Sequence, residues 1–96
     1  MTDIRRIVLD VLKPHEPGMV EFAQHVSEVE TVEAATASLI ELDREVQNVK
    51  VTVEGGGLDV DAVEAAIDDF GGTVHSIDLV ACGGYAAAEQ LTHQDR

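Results

Sequence analysis

The sequence predicts an α+β sandwich built in the order β-α-β-β-α-β, and three observations carry that prediction. Ile7–Leu12 is a short run, apolar on both faces of an extended chain, as a strand in the middle of a sheet should be. Two later stretches, Met19–Val29 and Asp59–Phe70, repeat apolar residues at helical spacing. Between them Val49–Glu54 alternates strictly between apolar and polar, as a half-buried strand does.

Taken in order, the first strand presents Ile7, Leu9 and Val11 on one face and Val8, Asp10 and Leu12 on the other. Asp10 is the exception on an otherwise apolar strand, and a carboxylate placed there calls for a partner. The strand breaks on Pro14 and Pro17, which hold His15 and Glu16 between them. In the first helix Met19, Phe22, Ala23, Val26 and Val29 form the buried stripe, with Glu21, Gln24, His25 and Glu28 turned to water. Val32–Leu42 is a weaker strand, Asp43–Gln47 a polar turn, and Leu39–Val53 a hairpin whose register the pattern leaves open.

Gly55–Gly57 lacks the lysine and hydroxyl of a phosphate-cradling loop, so a flexible connector is the simpler reading. The second helix opens with Asp59 as N-cap and a Leu58–Val63 staple, and closes on Gly71-Gly72. Val63, Ala66, Ile67 and Phe70 form its buried stripe. In the last strand, Thr73–Cys82, simple alternation turns His75, Ile77, Leu79 and Ala81 toward the helices. It puts Val74, Ser76, Asp78, Val80 and Cys82 on the other face. Tyr85–Leu91 reads as a short helical turn and Thr92–Arg96 as a frayed end.

These elements assemble as a ferredoxin-like βαββαβ fold, a four-stranded antiparallel sheet in the order 4-1-3-2 with two helices on one face. Residues 1–96 form a single domain, with an ordered core over about 3–83 and a tail over 84–96. The expected core is Ile7, Leu9, Val11, Phe22, Val26, Val49, Val51, Val53, Val63, Ile67, Phe70 and Ile77. That core holds by packing alone, because the single cysteine, Cys82, has no partner for an intrachain disulfide. No signal-peptide layout and no run of membrane-spanning length is present, which points to a cytoplasmic protein.

Charge narrows the partners. Nineteen acids against six bases give a net charge of -13, and the only lysines are Lys13 and Lys50. With no basic patch beyond Arg5-Arg6 and three aromatic residues, nucleic-acid binding is disfavoured. An acid excess of this size is tolerated best where salt screens it, so a halophilic source is expected, the alternative being an acidic mesophilic protein.

The phrases LDVLKPHEP, LIELDREVQNVKVTVEG and GGTVHSIDLV resemble the archaeal family known as domain of unknown function 211, from Ile4 to about Gly83. The resemblance implies a small ferredoxin-like domain of an archaeal cytoplasm, in a ring or other oligomer, and implies no activity. This chain departs from the family's pattern at Leu79, where an acidic residue is expected.

Three constellations could carry chemistry. Asp10 and Asp78 are expected on the open sheet face on neighbouring strands. With Glu16 added they could hold a divalent cation through oxygen, Ca2+ or Mg2+ rather than zinc. The alternative is that each aspartate pairs with Arg5, Arg6 or Lys50, or stays hydrated. His15 and His75 lie at the ends of adjacent strands in this topology and are weaker metal candidates. No close ligand pair supports them, and Cys82 sits at the far end. Third, Val8, Leu12, Val74 and Val80 would form an apolar patch on the open face. Either the tail covers that patch or a homo-oligomer buries it, and the patch favours the oligomer.

The expected function is therefore a non-enzymatic oligomeric binding or regulatory module, sensing a divalent cation or small molecule. The alternatives are an acid/base enzyme using Asp10, His15 and Glu16, or a purely structural oligomer. One consequence needs only the charge. Thermal stability should rise between low and molar salt and level off as the Debye length falls to about 3 Å. A melting temperature that is flat or falling over that range would remove the halophile reading.

Overall fold

The computed structural model describes residues 3–84 and has six elements in the expected order. They are β1 (Ile4–Pro14), α1 (Met19–Ser27), β2 (Ala34–Leu42), β3 (Val46–Glu54), α2 (Val60–Asp69) and β4 (Thr73–Cys82). The sheet order is β2-β3-β1-β4 and every pairing is antiparallel, which is the ferredoxin-like arrangement. The tail expected to form a turn over Tyr85–Leu91 and to fray over Thr92–Arg96 lies outside the described residues. Among the described residues no helix is long and apolar enough to cross a membrane.

β1 lies where its two apolar faces require, hydrogen-bonded on one side to β3 and on the other to β4. Ile7, Leu9 and Val11 pair with Val53, Val51 and Val49, and these six side chains floor the core. Phe22 and Val26 of α1 and Val63 and Ile67 of α2 close it from above, all four without exposed surface. α1 lies against β2 and α2 against β4, so the helices share one face of the sheet.

The connections are fixed by local chemistry. Glu21 Oε1 accepts from the Gly18 N–H at 3.3 Å and satisfies one free donor at the start of α1. Asp59 Oδ1 does the same for the Ala62 N–H at the start of α2, at 3.2 Å, while Leu58 and Val63 are both buried as a staple. α2 ends in a Schellman turn. Gly72 N–H donates to the Ile67 carbonyl and Gly71 N–H to that of Asp68, with Gly71 at φ 79°. The Gly55–Gly57 connector is pinned rather than flexible. Gly55 and Leu58 donate to the carbonyls of Arg5 and Ile4, and a Cβ on Gly55 would collide with the Thr31 carbonyl.

The hairpin register left open by the sequence pairs Ala37 with Val51 and Ser38 with Lys50, with a bulge at Ile40. The larger departure is in β4. Alternation fails there because two of the three register shifts in its pairing with β1 leave an extra residue in β4, Asp78 in one and His75 in the other, while the third leaves Arg5 extra in β1. Val80, Ile77 and Val74 each oppose a helix-facing residue of β1, so apolar residues recur every third position. Val74 and Val80, expected on the open face, therefore lie on the helix side, and Leu79 moves to the open face. Ile77 is on the helix side as expected but remains 47% exposed, because the helices leave the outer edge of β4 bare. Phe70 is partly buried, packed at the margin of the core.

Truncation should read out this difference. Phe22→Ala is expected to cost about 3–5 kcal/mol. Phe70→Ala should cost on the order of 1–2 kcal/mol, as a half-buried ring loses less. Denaturant unfolding of both variants checks the ranking, and equal losses would contradict it.

Candidate functional site

The open face of the sheet carries the residues that β1 and its neighbours turn away from the helices. Along β1 these are Arg6, Val8, Asp10 and Leu12. Lys50 of β3 lies directly across from Asp10 on one side, and Ser76 of β4 on the other. Leu79 lies across from Val8. The bulge at Asp78 adds a second carboxylate to this surface. Its Oδ1 accepts from the Ser76 hydroxyl at 2.7 Å, which fixes where it sits.

The result is a shallow depression of about 440 Å3 whose lining includes Val8, Asp10, Ile40, Lys50, Asp78 and Leu79. Asn48 completes the lining beside Lys50. Among the described residues no ion pair joins Asp10 or Asp78 to Lys50. Two acids, one amine and an apolar floor therefore meet with no ion pair between the acids and the amine. A surface of this kind could fix a small charged molecule by its ends and by its body.

The other candidates disperse. Glu16 follows β1 into the turn toward α1, where its charge acts on Lys13 rather than on the depression. His15 reaches the opposite way from β4, its Nε2–H donating to the Asp43 carbonyl in the β2–β3 turn at 2.8 Å. His75 is an exposed bulge residue in β4, and Cys82 is exposed at that strand's far end, opposite Ile4. Among the described residues no group of three or more His, Cys, Asp or Glu side chains is arranged to hold a metal ion. Asp10 and Asp78 thus line one depression, whose lining does not include Glu16, His15 or His75.

Two polar residues proved more constrained than their sequence neighbourhood suggested. Lys13 continues the 7-9-11 phase of β1 and is fully buried on the helix side. Its Nζ donates to the Pro14 carbonyl at 2.9 Å and to Gln47 Oε1 at 2.8 Å, and lies 5.8 Å from the centre of the Phe22 ring. His25, expected in water, is half-buried. Its ring stacks on Phe70 with centroids 4.1 Å apart, and Nε2 lies 3.7 Å from Asp69 Oδ2. For Lys13 the signal was available, since its position extends the buried phase. For His25 only helix packing could reveal it.

The fold and this surface define a small ferredoxin-like α+β domain with a charged depression on the sheet face opposite its helices. The chain belongs to the family known as domain of unknown function 211, described as uncharacterized ArCR, whose model matches residues 5–96. It is similar to an uncharacterized protein of Methanocaldococcus jannaschii. The two are 45% identical over 96 residues, spanning 100% of this chain and 99% of that protein. The archaeal family and the α+β fold expected from the sequence are thus both established.

Burial lowers the pKa of Lys13 by disfavouring its ammonium, and the charges of Glu16 and Glu21 partly oppose that. Between the lowered folded value and the ordinary value near 10.4, the unfolded chain binds the extra proton. Lys13 should therefore make stability rise with pH through that window. Lys13→Met should flatten the rise relative to the native protein in denaturant unfolding at matched salt. Parallel curves for the two proteins would contradict the assignment.

Proposed function

We propose that this protein is a non-enzymatic binding or regulatory module of a salt-rich archaeal cytoplasm, assembled as a homo-oligomer. Its ligand site is the depression on the open sheet face, with Asp10 and Asp78 as the recognition groups. The observation that carries the reading is the meeting of two carboxylates and Lys50, with no ion pair among them, over an apolar floor. Such carboxylates attract a positively charged centre, either a hard divalent cation such as Ca2+ or Mg2+ or the ammonium of a small molecule. The acid/base alternative is weaker, since Asp10 and His15 are five residues apart along a strand-and-turn path of up to about 17 Å.

Assembly is supported by the edge beside the depression. β2 is an outer strand, and Leu39 and Leu42 on it, outside the depression, are 48% and 60% exposed. Burying such side chains against a second copy would contribute about 25 cal/mol per Å2. Val8, which the sequence put at the contact, is only 5% exposed within one chain. Leu42→Glu is therefore the cleaner probe, since Val8→Glu would bury a charge and threaten the fold.

Melting temperature should be followed during titration with Ca2+, Mg2+, Zn2+ and a panel of free amino acids. At least one ligand should stabilise the protein, and Asp10→Asn with Asp78→Asn should abolish that response. Light scattering should show an oligomer that Leu42→Glu dissociates while circular dichroism stays native. A native monomer at high salt would overturn the assembly half. A ligand response unchanged in the doubly substituted protein would overturn the site.

A further inference from the structure

We infer that the open-face depression is built for a zwitterion, an α-amino acid with an apolar side chain, rather than for a bare metal ion. This rests on the reading that Asp10 and Asp78 form a ligand site, and it names the ligand's class. The argument begins with Lys50. It is one of two lysines in the chain, and the other is buried beneath α1. Lys50 lies directly across from Asp10 and lines the same depression. Its ammonium would repel a divalent cation held by Asp10 and Asp78. The same group would instead attract a ligand's carboxylate.

The arrangement across the sheet makes the site bipolar. Asp10 on β1 and Asp78 on β4 form the acidic side, with Asp78 held by the Ser76 hydroxyl at 2.7 Å. Lys50 on β3 forms the basic side, with the Asn48 amide next to it in the lining. Adjacent strands lie about 4.8 Å apart, so the acidic and basic backbones are one to two strand spacings from each other. The flexible stem of Lys50 lets its ammonium follow a carboxylate within that span. A ligand ammonium on Asp10 and Asp78, with its carboxylate on Lys50, satisfies all three charges at once.

The apolar lining supplies the second half of the argument. Val8 and Leu79 are cross-strand partners on the floor, and Ile40 stands at the side, 59% exposed. A hydrated ion gains nothing from these three side chains. An aliphatic ligand side chain would remove Ile40 and Leu79 from water. The depression, about 440 Å3, lies within the size range of small-molecule sites.

Leucine is the probe, compared with its two half-charged analogues, 4-methylpentanoate without the ammonium and 3-methylbutylamine without the carboxylate. Binding is followed by amide chemical shifts of the intact protein in 15N-labelled form, with Ca2+ titrated separately. Leucine should shift the amides around Asp10, Lys50 and Asp78, and each analogue should bind about tenfold or more weakly. Lys50→Gln should weaken leucine by a similar factor while leaving Ca2+ binding unchanged or stronger. That opposite response separates the two ligand classes. Leucine binding undiminished in Lys50→Gln, or equal binding of 3-methylbutylamine, would overturn the inference. Ca2+ binding without leucine binding would also overturn it while leaving the carboxylate site standing. No response to any probe would remove both.

Discussion

The structure depends on the double pairing of β1. A strand hydrogen-bonded on both sides and covered on one face by two helices must be apolar where the helices meet it, and Ile7, Leu9 and Val11 are buried there. Their cross-strand partners Val49, Val51 and Val53 extend the same surface, and Phe22, Val26, Val63 and Ile67 fill it from the helix side. With a central strand of this kind, the βαββαβ order leaves little choice of topology. The connectors then have to be short and tight, and Gly55 at the close approach to Thr31 and Gly71 at the end of α2 make them so.

The other face of that strand is where chemistry can be placed. Both helices are used on the core side, so Asp10 can stand in the middle of the sheet without being sealed from water. The bulge at Asp78 has a positional effect beyond irregularity. It puts a carboxylate beside the Asp10 surface and at the same time moves Leu79 onto it. Bulges concentrate on edge strands, where only one ladder has to accommodate the extra residue, and β4 is such an edge.

Electrostatics divides the two lysines into different roles. In a chain carrying a net charge of -13, positive charges are scarce and their positions matter. Lys13 is bound to the Pro14 carbonyl and Gln47, lies over the Phe22 ring, and closes the end of the core beneath the PHEP turn. Lys50 faces outward among acids in the depression. The buried amine has satisfied hydrogen bonds, which is the condition under which such a group is tolerated. The outward one keeps its bonding capacity for something else.

The sequence by itself determined the element order, the central place of β1, the caps of α2 and most of the core. Each of these follows from local periodicity or from a residue's own conformational preference. Asp10 and Asp78 could be brought together on paper because topology makes their strands neighbours. The tertiary structure alone decided the phase of β4, the exposure of Ile77 and Val80 and the stacking of His25 on Phe70. It also left Glu16 and His15 out of the depression that the aspartates line. The physical reason is the same throughout. Alternation assumes an unbroken ladder, and a bulge is set by how an edge strand fits its twisted partner, which no single strand's sequence encodes. The direction in which a turn leaves a strand, and the side chain that a helix lays on its neighbour, are likewise settled only when the layers pack.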